Sequence, residues 1–155
     1  MKSVMLSIRP KWCEKIASGE KTIEVRKTKP KLETPFKCYI YCTNSGVATE
    51  MWGKHGKVVG EFTCNTVTNL FSNSRFWLNE DDVLQTCLSA AEIRKYADGA
   101  NGLYGWHISD LVCYDKPKEL SEFKGLRKTK FGYEPVEIKR PPQSWCYVEE
   151  WEENE

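Results

Sequence analysis

Residues 36–43 read FKCYIYCT, and no other stretch restricts the fold as tightly. A strand that is apolar on both faces needs both faces covered, so this run belongs inside a sheet and not at its edge. Further strand-like runs surround it: VMLSI (4–8), TIEVR (22–26), KVVGEFTCNTVTNL (57–70), LYGWHISDLVCYD (103–115) and a short closing strand within RPPQSWCYVEE (140–150). Between them lie pieces with helical spacing. Pro10 suits a first helical position, Trp12 with Ile16 and Cys13 with Ala17 pair at i,i+4, and Gly19 stands where a glycine ends a helix. Residues 71–97 are predicted to be helical in two pieces, the first capped by Asn79 and the second by a Ser89–Glu92 capping box.

The stretches 27–36, 43–57 and 125–135 are predicted as loops, with a single turn inside the second, and KPKEL (116–120) as the start of a further loop. The acidic tail EEWEENE is expected to fray. The order β-α-β-β-β-α-β-β, with no internal repeat and no composition shift, predicts one α+β domain over residues 1–155: a small mixed β-barrel with short flanking helices.

Bulk properties narrow the function classes. With 155 residues and 40% hydrophobic residues the chain can bury one core. Its net charge of +1 means that an anionic partner must be held by a local patch and not by a global field. No run approaches a membrane span and the N-terminus lacks a signal-peptide layout, so a soluble, cytoplasmic protein is expected, with no membrane partner. The seven cysteines are odd in number, lie in apolar runs and form no CxxC pair, which fits reduced core thiols. Neither histidine lies near a close cysteine pair, and the spacing supports no metal site and no cofactor.

The polar residues of TIEVR raise the functional question. Ile23 and Val25 face one way; Thr22, Glu24 and Arg26 face the other. Glu24 and Arg26 form either a surface ion pair, or a pair in which Arg26 holds a phosphate or base edge and Glu24 accepts from an exocyclic amine. Glu61 is an acid inside an apolar strand, so it is either exposed on an edge or buried and paired. Ser7 and Arg9 flank the start of the first helix, where anions bind readily. Trp12, Trp145 and Tyr147 offer stacking surfaces for a base, with Trp12 and Trp145 placed at a rim by the proline turns before them. Trp106 alternates along its strand and reads as core. Ser144 and His107 are weaker candidates. Basic clusters at 26–31 and 124–130 either follow a nucleic-acid backbone or are solvated loops.

The run SIRPKWCEKIASGEKTIEVRK resembles the start of ASCH domains, whose pattern is a strand, a short helix, a glycine and a Lys-Thr-x-x-x-Arg strand, here Gly19, Lys21, Thr22 and Arg26. YGWHISDL and PPQSWCYV are similar to runs in small phage- and bacterial-type members, while residues 65–100 carry little of the likeness. The resemblance implies a PUA-like barrel with a cleft lined by the polar strand. It implies RNA, a nucleoside or a nucleotide as ligand. One branch of the family resembles amidohydrolases acting on N4-acylcytidine, and others have been associated with RNA cleavage. In the amidohydrolase branch a Lys, a Thr three residues on and a Glu from a later strand act together, which maps to Lys21, Glu24 at the threonine position, and Glu61. The expected site therefore gathers Lys21, Glu24 and Glu61 for chemistry, with Ser7, Arg9, Trp12, Thr22, Arg26, Trp145 and Tyr147 binding the ligand. A binding module ranks first, a hydrolase second and a protein-binding adaptor third.

Overall fold

A computed structural model describes residues 2–45 and 55–152. Its elements are β1 (Lys2–Ile8), α1 (Pro10–Ala17), β2 (Ile23–Arg26), β3 (Phe36–Cys42), β4 (Lys57–Ser72), β5 (Arg75–Phe76), α2 (Glu80–Thr86), α3 (Ala90–Tyr96), β6 (Gly102–Lys118), β7 (Lys124–Thr129), β8 (Gly132–Glu137) and β9 (Trp145–Glu149), with a 3-10 turn over Leu120–Glu122. The strands form one sheet in the order β2-β6-β4-β3-β1-β9-β7-β8, and β5 pairs with β4 beside this path. β1 and β3 run parallel, and every other described pair is antiparallel.

The doubly apolar run at 36–42 is β3, between β4 and β1 as its pattern requires. Alternation sorts the residues of the central strands into two cores. Val4, Leu6, Ile8, Cys38, Ile40, Phe62, Cys64 and Trp106 pack on one face, closed by Cys13 and Ile16 of α1. Met5, Tyr39, Tyr41, Val58, Phe123 and Val148 pack on the other. A third cluster, Val25, Leu70, Ile93, Ala97 and Leu103, seats α3. The end strands β2 and β8 do not pair with each other. Instead the Arg26 side chain bonds across to β1, and Trp106 of β6 meets Trp145 of β9 at 5.9 Å between ring centroids.

Local signals place the helix ends. Gly19 follows α1 at φ +86, in the left-handed region where a side chain is strained. Asn79 Oδ1 accepts from the Asp82 amide at 2.8 Å. Ser89 Oγ accepts from the Glu92 amide, and the Glu92 carboxylate accepts from the Ser89 amide, both at 3.1 Å.

Three predicted segments differ. Residues 71–76 are not helical: β4 runs to Ser72 and turns through Asn73 and Ser74, both at positive φ, into β5. Two successive left-handed residues make the tight hairpin turn whose twist matches the strands it joins. KPK continues β6 to Lys118. The segment 124–137 is a hairpin of β7 and β8, held by polar cross-strand pairs such as Arg127 with Glu134. Residues 46–54 of the loop expected over 43–57 and the last three residues of the acidic tail lie outside the described residues.

Candidate functional site

The short β2 strand opposes β6 with Glu24 paired to Trp106 and Arg26 to Tyr104. Directly paired residues share a sheet face, so Glu24 points the same way as the buried Trp106 and stands at the margin of the main core. Val25 faces the α3 cluster instead. This splits the strand as its alternation predicts and leaves Glu24 and Arg26 at the floor of a cleft of about 980 Å³. The cleft is walled by Arg9 and Trp12 at the start of α1, and by Leu88, Glu92, Lys95 and Tyr96 from α3 and the turn before it.

The floor is a chain of two buried charges, Lys21 and Glu24, and one partly buried one, Arg26. Lys21, 2% exposed, donates to the Thr86 carbonyl at 2.7 Å and lies 3.7 Å from Glu24 Oε1. Glu24, 6% exposed, also accepts from the Val25 amide at 3.1 Å and from Arg26 Nη2 at 3.3 Å. Arg26 then reaches the Ser7 carbonyl at 2.8 Å, and the Ser144 carbonyl and hydroxyl at 3.1 Å each. Two cations thus flank one carboxylate, leaving the trio one positive charge in excess. The Lys21 ammonium stands 5.0 Å from the centre of the Trp12 ring, and Lys27 stands 4.9 Å from that of Tyr96.

Burial pushes the Lys21 amine below its ordinary value of 10.5, and Glu24 opposes the shift. The folded chain therefore releases this proton before the unfolded chain does, so the contribution of Lys21 to stability rises with pH up to about 10.5. Urea unfolding of the wild type and of Lys21→Met at pH 7.5 and pH 10 measures this. The wild type is expected to gain on the variant at the higher pH, and a difference that stays constant or shrinks contradicts a desolvated ammonium.

Of the residues predicted from sequence, Ser7, Arg9, Trp12, Lys21, Glu24 and Arg26 line the cleft together, and four do not line it. Glu61 pairs with Tyr39 in the β3–β4 ladder, so it faces away from Phe62, Cys64 and the main core. There Lys37 meets its carboxylate at 3.1 Å and Tyr114 donates to it at 2.8 Å. The expected convergence of Glu61 with Lys21 is not found, because strand parity sends Glu61 to the opposite side of the sheet. Thr22 is not in the cleft either: its hydroxyl donates to Gln85 Oε1 at 2.9 Å and its amide to the Gln85 carbonyl at 3.0 Å, tying β2 to α2. Trp145 packs on Trp106 and donates through Nε1 to Thr28 Oγ1 at 2.8 Å. The Tyr147 hydroxyl accepts from the Lys31 amide at 2.8 Å. The sequence reading missed Tyr96, Lys95 and the Thr86 carbonyl, which belong to the helical insert where the family likeness is weakest. Among the described residues no group of three or more His, Cys, Asp or Glu is arranged to hold a metal ion.

A mixed α+β sheet carrying this polar cleft defines the class of protein, and comparison supplies the family. The ASCH domain family model matches residues 6–142, and the chain belongs to that family. Its fold is similar to the crystal structure of ASCH from Zymomonas mobilis, at 19% identity over 97% of this chain and 87% of that one, with a TM-score of 0.58. A tyrosine-to-phenylalanine variant of that protein gives 19% identity, 99% and 91% coverage and a TM-score of 0.56. A serine-to-alanine variant gives 17%, 97%, 88% and 0.55. At these identities the likeness is one of fold. No curated protein matches the chain. Among the described residues no helix is long and apolar enough to cross a membrane.

Proposed function

We propose that this ASCH domain binds RNA by taking one nucleotide into the cleft beside β2, in a PUA-like barrel in which the Arg26 side chain ties β2 to β1. The observation that carries this reading is the Lys21–Glu24–Arg26 chain, buried at Lys21 and Glu24 and partly exposed at Arg26, with its excess positive charge, under a cleft walled by Trp12 and Tyr96. Arg9 stands exposed at the rim, where it meets a phosphate. Trp12 and Tyr96 supply faces for a base, each worth about 1–3 kcal/mol where a base stacks. Membership of the family supports RNA over other anions.

A second reading is favoured by one observation: Lys21 is both buried and shifted toward neutrality beside a carboxylate, the setting that makes a lysine a proton acceptor. On that reading the domain is an amidohydrolase acting on N4-acylcytidine or a metal-independent ribonuclease, with Glu24 rather than Glu61 as the carboxylate beside Lys21. A protein-binding adaptor has no comparable support.

One experiment separates the readings. Cytidine 5′-monophosphate is titrated calorimetrically into the wild type and Trp12→Ala, and N4-acetylcytidine and a short RNA are incubated with the protein and analysed by mass spectrometry. Binding is expected to weaken about tenfold or more in Trp12→Ala, with both incubated compounds intact. Release of cytidine, or RNA fragments that vanish in Lys21→Ala, selects the enzyme. No binding and no turnover defeats both.

A further inference from the structure

We infer that the segment 27–33 forms a second, basic groove that carries the RNA strand onward from the cleft, so that the ligand is a single-stranded oligonucleotide and not a free nucleoside. This deepens the reading above and rests on it.

The two depressions adjoin: Lys27 lines both the cleft and a neighbouring groove of about 650 Å³. That groove is lined by Lys27, Lys29 and Lys31, by the acid Glu33, and by Tyr104. The three lysines are exposed, and among the described residues none of them forms an ion pair with a protein carboxylate. Two of them lie near aromatic rings instead, Lys27 by Tyr96 and Lys29 by Tyr104, with the Lys29 ammonium 5.2 Å from the ring centre. Cations interleaved with aromatic faces suit single-stranded nucleic acid, in which phosphates and unstacked bases alternate.

The residues between the lysines fix the segment to the body. Thr28 Oγ1 takes the Trp145 indole N–H, Pro30 is buried, and Leu32 packs against the main core. The Lys31 amide donates to the Tyr147 hydroxyl. Trp145 and Tyr147 thus act as positioning residues for the basic segment. A groove whose backbone is held at several points loses little conformational freedom when a strand binds, and what it presents to solvent is a row of lysines. The other basic stretch, 124–130, lies on the β7–β8 hairpin and lines neither depression.

The test uses fluorescein-labelled hexacytidylate and unlabelled cytidine 5′-monophosphate against the wild type and Lys29→Ala/Lys31→Ala, at several salt concentrations. The wild type is expected to bind the hexamer at least about tenfold more tightly than the mononucleotide. In the double variant the hexamer loses that advantage, mononucleotide affinity is unchanged, and the slope of log affinity against log salt shrinks by about 1.4, two single-strand phosphate contacts at about 0.7 each. Mononucleotide binding with no gain for the hexamer, or a double variant that keeps both hexamer affinity and slope, overturns the groove while leaving the cleft standing. Loss of all binding in the wild type overturns the cleft and the groove with it.

Discussion

Glu24→Ala is expected to destabilise the domain by about 3–5 kcal/mol, the loss typical of breaking a buried ion pair from one side. The size follows from what the carboxylate holds. One oxygen takes the Val25 amide and faces Lys21, and the other takes Arg26. Their side chains are 2% and 11% exposed, so water does little to replace the lost partner. Lys21 has one escape: it already titrates below its ordinary range, and losing Glu24 pushes it further toward the neutral amine. Arg26 has no such escape, because its guanidinium stays protonated. Lys21→Met/Glu24→Ala should therefore recover part of the loss, with a coupling energy of about 0.5–3 kcal/mol between the two sites. Chemical denaturation of the two single variants and the double variant measures all the terms. A cost for Glu24→Ala under about 1 kcal/mol would mean that the trio is solvated like a surface pair, and the electrostatic account of the cleft would fall.

How much of this was legible in the sequence depends on the range of each signal. The helix caps at Asn79 and Ser89 and the glycine after α1 are settled within four residues of chain, and all three stand where spacing predicted them. The pairing of Glu24 with Arg26 needs only the period of a strand, and it too was readable. Glu61 shows where this stops. Alternation tells which neighbours share a face, but not which face is turned to the cleft. Phe62 and Cys64 point into the main core, so Glu61 points out, and only the assembled sheet reveals this. Thr22 failed for a related reason: it precedes the ladder of β2, and the distant Gln85 captures both its amide and its hydroxyl. The β7–β8 hairpin was unreadable because charged pairs such as Lys124 with Glu137 and Arg127 with Glu134 give its residues the look of a charged loop. Tyr96 carries no local mark at all, since it joins the cleft only through the docking of α3 on Val25 and Leu103.

Trp106→Ala is expected to cost about 3–5 kcal/mol, as large aromatic truncations in a close-packed core do. Trp106 is fully buried, meets Phe36 edge-on at 5.8 Å and Trp145 at 5.9 Å, and sits opposite Glu24 in the β2–β6 ladder. Its removal opens a cavity beside the carboxylate that orders Lys21 and Arg26, so affinity for cytidine 5′-monophosphate should fall along with stability. Trp106→Phe should behave differently. The indole N–H has no acceptor among the described residues, and an unmatched buried donor costs about 1–3 kcal/mol. Phenylalanine removes that donor while keeping much of the ring, so the lost packing is partly offset and the net cost should stay below about 1.5 kcal/mol. Urea titrations of both variants, with nucleotide binding measured under native conditions, provide the comparison. If Trp106→Phe proves as costly as Trp106→Ala, the indole N–H is hydrogen-bonded in solution. The floor beside Glu24 would then be a wet polar junction rather than the dry end of the core, and the downward shift of the Lys21 amine would lose its physical basis.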